Sequence, residues 1–333
     1  MTASTPAPDI LDLVIVGAGP AGLTAGIYAS RGRLNTVILE RNMAGGQIAL
    51  TELVENYPGF PEGISGFDLS EKMKSQAVRF GAELREIQAV TSLRREADGC
   101  YGVVTDKGVL RAKSVILAPG VEAKRSGIPG EAEFIGRGVS WCATCDGALY
   151  RGRTVAVVGG GDSAVEEGLF LTKFADKVYL VHRRNELRAA AIAQERAFAN
   201  PKFEFVWDSV PRRIDGDQVV EALEVENVKT QETRRLPVNG VFIYIGQLPN
   251  TTWLKGVVDL DDQGYIVTDA LMQTSLPGVF ACGDAHANPL KQIAMAIGEG
   301  ALAAVQADRY LDTLDFPAPG AASAAGGSAA APA

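Results

Sequence analysis

A glycine-rich turn between an apolar strand and a helix occurs twice in this chain, about 140 residues apart, and few folds have room for two of them. In the first copy Leu11–Val16 is almost wholly apolar, as in a strand buried on both faces of a parallel sheet. Gly17-Ala18-Gly19-Pro20-Ala21-Gly22 turns the chain, and a helix runs from Pro20 to about Arg31, with Gly32 past its end. Thr36–Leu39 is the next strand and runs into Glu40. In the second copy residues 154–158 are the strand, and Gly159-Gly160-Gly161-Asp162-Ser163-Ala164 the turn. A helix then continues to about Phe174, and residues 177–181 form the following strand. Further apolar runs end at Ala118, Ile245 and Ala281, and Gly120 and Gly246 just after two of them mark crossovers between two lobes. The pattern predicts an α/β fold with two Rossmann-like dinucleotide-binding domains.

The two turns differ in what they suit. In the first, Gly17 permits the tight turn, Gly19 lets backbone approach a pyrophosphate, Gly22 lets helix and strand pack closely, and Pro20 opens the helix whose N-terminus attracts phosphate. Glu40 is placed to bind a ribose 2′-hydroxyl, which fits FAD or NAD. In the second, Gly159, Gly161, Asp162, Ser163 and Ala164 form the loop, but its second strand ends in His182-Arg183-Arg184, with Arg188 shortly after. Cationic, fork-shaped donors suit a 2′-phosphate and an acid would repel one, so this half favours NADPH. With one site reading as NADPH, the other is most simply FAD. His182 reads as orienting the basic cluster.

Between the two turns lies Cys142-Ala143-Thr144-Cys145-Asp146. The spacing suits a disulfide and also occurs at zinc sites, but zinc would need two further ligands. Cys100, Cys282, His182 and His286 are each isolated in the sequence, so no metal is expected. A redox dithiol is the leading reading, with Asp146 as the carboxylic acid that supplies a proton when reduction opens the disulfide. Asp146 also reads as a turn or helix-cap residue. Cys100 and Cys282 read as small buried residues, and His286 as lining a loop.

Composition narrows the classes. A chain of 333 residues is long enough for two domains, and 47% hydrophobic with 22% charged residues is ordinary for a globular enzyme. A net charge of −8 argues against binding nucleic acid or an anionic membrane. No run of about 18 apolar residues exists to span a bilayer. Residues 1–10 lack a signal-peptide pattern, and four cysteines make no disulfide scaffold, so a cytoplasmic location is expected. Residues 317–333 are Ala, Gly, Ser and Pro without a charge and read as a disordered tail.

Taken together and in this order, these motifs make the chain resemble a bacterial low-molecular-weight thioredoxin reductase over roughly residues 9–313. A Cys-x-x-Cys just before the second fingerprint is particular to that subfamily. The resemblance implies a homodimer that uses FAD and NADPH and reduces thioredoxin. It implies a discontinuous FAD domain, residues 1–121 and 247–316, with an NADPH domain at 122–246 inserted in it and rotating on hinges near Gly120 and Gly246. It implies that Glu40 holds the adenosine ribose, that Gly46, Gln47 and Asn56 line the flavin, and that Gly283 and Asp284 meet the ribityl chain. Lys291, Gln292 and Ile293 would bring a helix N-terminus to the pyrimidine edge. Cys145 would face the flavin and Cys142 attack thioredoxin, although the spacing alone allows the reverse. Four departures stand out: Lys291 where some members have Arg, Pro119 in the junction Ala118-Pro119-Gly120, Gln247 where His is common, and Ala148-Leu149 where some carry two aromatics. The competing readings are a reductase for another disulfide, a ferredoxin–NADP reductase, an oxygen-using dithiol oxidase and a non-catalytic nucleotide sensor. The first belongs to relatives with an extra N-terminal domain, whereas about ten residues precede the first strand here. The dithiol speaks against the second, and the arginines against the third.

Overall fold

The structure, a computed structural model, describes residues 10–51 and 53–314, so the expected tail at 317–333 lies outside the described residues. The chain opens with β1 (Leu11–Val16), α1 (Pro20–Arg31), β2 (Thr36–Leu39), α2 (Gly66–Phe80), β3 (Glu83–Arg85), β4 (Val90–Arg95), β5 (Tyr101–Thr105), β6 (Gly108–Leu117) and β7 (Val121–Ala123). The middle holds β8 (Val139–Ser140), α3 (Ala143–Asp146), β9 (Thr154–Gly159), α4 (Asp162–Leu171), β10 (Lys177–Val181), α5 (Ala191–Ala199) and β11 (Phe203–Val206). It continues through β12 (Ser209–Gly216), β13 (Val220–Asn227), β14 (Thr233–Pro237) and β15 (Gly240–Tyr244). The chain closes with β16 (Gln247–Pro249), β17 (Val279–Ala281) and α6 (Ile293–Asp312).

The first sheet runs β3-β2-β1-β6-β5-β4, with β17 added parallel to the C-terminal half of β6. The second is fully parallel in the order β11-β10-β9-β15-β8. Both are Rossmann-like, and the second is inserted in the first: the chain leaves after β6, builds β8 to β15, and returns to add β17. The crossing is a two-stranded antiparallel ribbon, with Val121 opposite Pro249 and Ala123 opposite Gln247.

Burial explains why the central strands read as unbroken apolar runs. Leu13 and Ile15 of β1 face a cluster with residues of α1, α2 and α6, while Val14 and Val16 face a second cluster on the other side. In the inserted sheet Val155 and Val157 meet α4 and α5, and Ala156 and Val158 meet residues of β12–β14. Each fully buried Leu or Ile contributes roughly 1.5–3 kcal/mol to this arrangement. Ala143, between the two cysteines, belongs to the same cluster as α4, so the dithiol turn is anchored on the nucleotide-binding lobe.

The helix expected to reach Phe174 ends at Leu171 instead. The Thr172 amide is shared between the Gly168 and Leu169 carbonyls, and Lys202 Nζ takes the Thr172 carbonyl at 2.6 Å, which draws the last turn out of helical register. Strands β3–β5 and β12–β14 and the crossing ribbon have no sequence pattern strong enough to announce them.

Candidate functional site

The first fingerprint is built as its glycines suggest. Gly17 has φ +103° and a Cβ there would lie 2.0 Å from the Ala118 carbonyl oxygen. A Cβ at Gly22 would lie 1.9 Å from the Gly17 carbonyl oxygen. Gly19 is the N-cap of α1 and Pro20 follows it, leaving the first amides of the helix open to an anion. Glu40 accepts the Ala18 N–H at 2.8 Å and the Asn42 N–H at 2.9 Å, so its carboxylate is pinned at the loop with lone pairs to spare. Gly46 has φ +64°, and a Cβ there would come 3.0 Å from the Gly19 Cα, so the two glycine turns face each other.

Other expected flavin contacts converge on the same place. Asn56 Nδ2 donates to Gln292 Oε1 at 2.9 Å, joining residues 236 apart in sequence. Gln47 donates to the Val121 carbonyl at 3.1 Å. Gln292 is the N-cap of α6 but its side chain does not cap the helix amides, and Ile293 is the first helical residue, so this helix too presents free amides. Gly283 (φ +73°) turns the chain into Asp284, whose carboxyl is pushed up by burial, with Lys291 opposing the shift. Lys291 is itself lowered by burial. Its ammonium donates to the carbonyls of Asp284 and His286 at 2.9 and 2.6 Å and lies 4.3 Å from the centre of the Tyr265 ring. Lys291 therefore clamps the 284–286 turn, a task an ammonium performs without the guanidinium fork.

Sequence reasoning missed the carboxylate behind this turn. Glu299, 5% exposed, accepts the Gly283 N–H at 2.8 Å and the Asn288 amide at 3.0 Å, and faces His286 Nδ1 at 3.5 Å. His286 is buried against it. Nothing in the local sequence around Glu299 announces a contact across 16 residues.

At the second fingerprint Gly161 caps α4, Ala164 is buried, Ser163 is exposed, and Asp162 accepts the Ala190 N–H at 2.7 Å. Gly160, a variable position in the fingerprint pattern, is required here: a Cβ there would lie 2.4 Å from the His182 ring. His182 is buried behind the loop and held neutral by burial first, then by Arg188, Arg183 and Arg184. All three arginines are exposed, and the Arg188 N–H donates to the Gly160 carbonyl at 2.7 Å, fixing the basic segment over the loop.

Cys142 and Cys145 form a disulfide with their Cα atoms 5.3 Å apart. Cys142 caps the one-turn helix α3, and its Sγ accepts the Cys145 N–H at 3.2 Å. Cys142 is half-buried and Cys145 exposed. Asp146 ends α3 and makes no side-chain cap to the turn that follows. Ala148 and Leu149 are exposed, the latter by 70%. Contacts that join this lobe to the other include the Thr144 hydroxyl donating to the Leu50 carbonyl and Arg196 Nη1 pairing with Glu55 Oε2 at 2.8 Å. Cys100 and Cys282 are free and buried, and burial pushes both thiols up, so neither is a nucleophile.

A family profile described as pyridine nucleotide-disulphide oxidoreductase matches residues 11–300. The chain is 48% identical over 309 residues to a thioredoxin reductase of Listeria monocytogenes, covering 92% of this chain and 95% of that one. Its structure superposes on a Lactococcus lactis thioredoxin reductase, in a conformation labelled FR, with a TM-score of 0.89 at 42% identity, covering 91% of this chain and all of the other. A thioredoxin reductase of Streptococcus pyogenes, 44% identical over 92% of this chain and all of its own, gives a TM-score of only 0.62.

Proposed function

Because this chain belongs to the thioredoxin reductases of the pyridine nucleotide-disulphide oxidoreductase family, we propose that it passes electrons from NADPH through FAD to Cys142–Cys145 and on to a thioredoxin disulfide. The observation that carries this reading is the Cys142–Cys145 disulfide, on a helix packed in the same cluster as the nucleotide-binding α4. When bound, the nicotinamide supplies a hydride and the flavin relays two electrons to the disulfide.

The chain's own residues do the rest. Gly17, Gly19 and Gly22 leave room for a pyrophosphate over the start of α1, and Glu40 offers its remaining lone pairs to ribose hydroxyls. The free amides at Gln292 and Ile293 favour negative charge on a reduced ring. Lys291 and Glu299 hold Asp284 in place. Arg183, Arg184 and Arg188 meet a 2′-phosphate. The Cys145 amide stabilises a thiolate on Cys142, which supports Cys142 as the sulfur that attacks thioredoxin, and Asp146 is the proton donor. Leu149, exposed four residues after Cys145, offers a protein partner an apolar contact. We take the FAD domain as residues 1–121 and 247–316 and the NADPH domain as 122–246. The enzyme is a cytoplasmic homodimer in this reading; among the described residues no helix is long and apolar enough to cross a membrane.

An anaerobic dithionite titration of the oxidised protein, followed by flavin absorbance, tests the electron path. Uptake of about four electrons per flavin is expected, two for each centre. Uptake of about two would mean that the disulfide does not communicate with the flavin, and the ferredoxin-type or sensor readings would replace this one. Nucleotide choice has its own test. Replacing both Arg183 and Arg184 with Ala should raise the KM for NADPH roughly 10- to 100-fold, the loss of one to two charge-assisted hydrogen bonds, with little change for NADH. An equal rise for both nucleotides would refute a 2′-phosphate site.

A further inference from the structure

Tyr244 ends β15 two residues before Gly246 and touches both working parts of the inserted lobe. Its backbone carbonyl lies where a Cβ at Gly159 would come within 2.4 Å, so it bounds the nucleotide loop. Its hydroxyl accepts the Ala143 N–H at 3.0 Å, in the peptide that joins Cys142 to Ala143. The Glu167 carboxylate of α4 faces the same hydroxyl, and burial first and then that negative charge push the phenol up, so it stays protonated and keeps its bond to Ala143. The charged groups that face Tyr244 are Glu167 from α4 and Asp146 from α3. On the other side of Cys142, Ser140 Oγ accepts the Cys142 N–H at 3.0 Å and donates to the Cys142 carbonyl at 3.2 Å. The backbone of Cys142 is thus held from both sides.

That hold decides where one donor points. In a helix of four residues nothing but local contacts fixes the first turn. The Cys145 N–H that meets Cys142 Sγ is its third amide, and its aim depends on the peptide that opens the turn. The negative charge of Glu167 near the phenol polarises its O–H and makes the oxygen a stronger acceptor, so Glu167 strengthens the bond to Ala143.

We propose that Tyr244, backed by Glu167, is a positioning residue for the dithiol: by holding the Ala143 amide it keeps the Cys145 amide on the Cys142 sulfur and so sustains the reactive thiolate. The claim rests on the reading that Cys142–Cys145 is the working disulfide. The step it serves is the exchange in which the Cys142 thiolate forms a bond to one partner sulfur and the other partner sulfur leaves as a thiolate. Cys145 then displaces the first partner sulfur, closing Cys142–Cys145, while two electrons and two protons pass to the partner.

The test uses the full-length flavoprotein with Cys145→Ser, which leaves Cys142 as the one cysteine of the pair, and follows its alkylation by iodoacetamide against pH by peptide mass spectrometry. Adding Tyr244→Phe should move the profile to higher pH and slow alkylation about 3- to 10-fold at pH 7, the range expected for one neutral hydrogen bond. Glu167→Gln should act in the same direction by a smaller factor, which keeps a readable result should the Phe variant fold poorly. With Cys145 restored, NADPH should reduce the flavin of both variants at the parent rate. An unchanged alkylation profile in both variants would overturn the proposal. So would a parallel fall in flavin reduction, which is the mark of a general structural defect. Alkylation reports on Cys142 whichever cysteine attacks thioredoxin, so a reversed assignment of the two sulfurs would correct the mechanism above without touching this result.

Discussion

Cys145→Ser should lower NADPH-driven reduction of thioredoxin by at least ~10³-fold while NADPH still bleaches the flavin at the parent rate. A serine hydroxyl cannot close a disulfide with Cys142, so the flavin loses its acceptor and the chain its second electron store. Electron uptake should fall from about four per flavin to about two. The cost in stability should be small, because Cys145 is exposed and packs little apolar surface. No other sulfur can stand in. Cys100 and Cys282 are buried, and burial disfavours their thiolates. The remaining Cys142 keeps an amide donor at its sulfur from residue 145, since serine retains the backbone N–H. It should therefore still attack oxidised thioredoxin and stop there, as a mixed disulfide that mass spectrometry detects. Stopped-flow absorbance and a thioredoxin-coupled assay decide the matter. Retention of more than roughly a tenth of turnover would remove the dithiol from the electron path.

Residues whose role follows from local pattern are legible in the sequence alone. Gly17, Gly22 and Gly159 announce themselves because only a glycine fits a left-handed turn or a backbone contact near 2 Å, and their spacing is fixed by one strand–helix junction. Glu40 directly follows β2 and His182-Arg183-Arg184 directly follows β10, so the contrast between the two halves is visible in residue type and position. The twofold-buried strands β1 and β9 are legible for a related reason: both faces are covered past their first residues, so Leu13–Val16 and residues 155–158 are apolar without a break. What the sequence hides is long-range and polar. Tyr244 meets Ala143 across 101 residues, and Glu299 meets Gly283 from the buried face of a helix. Each occupies a position where an apolar residue would satisfy the same hydrophobic pattern. The β7–β16 ribbon escapes for want of length, three residues a strand. Residue type at one position does not encode the partner that tertiary packing brings to it.

Joining the two lobes covalently should leave one half-reaction intact and abolish turnover. Nicotinamide and dithiol ride on one lobe, and both must reach the same flavin, so a single rigid arrangement cannot serve the whole cycle. The crossing is suited to rotation. Gly120 and Gly246 flank the ribbon with φ +65° and +119°, and a Cβ at either would meet no atom within 4 Å. Two structures at nearly the same identity, 42% and 44%, superpose with TM-scores of 0.89 and 0.62, so sequence divergence does not account for the gap. In the present arrangement Glu55 of the flavin lobe lies against Arg196 and near Glu166 of the nucleotide-binding helices, and Cys145 is exposed. We take this arrangement, with Cys145 open to solvent, as the one that serves hydride transfer from the nucleotide. The Arg196–Glu55 pair is about half exposed on both sides, so it contributes at most ~1 kcal/mol and yields readily to rotation. A covalent link there would not. With Glu55→Cys and Arg196→Cys bridged by a short cleavable bis-maleimide, NADPH should reduce the flavin fully. Electrons should not reach Cys142–Cys145, thioredoxin reduction should fall to background, and cleaving the bridge should restore it. Full turnover in the bridged enzyme would mean that one arrangement serves both steps, and the hinge at Gly120 and Gly246 would have no part in catalysis.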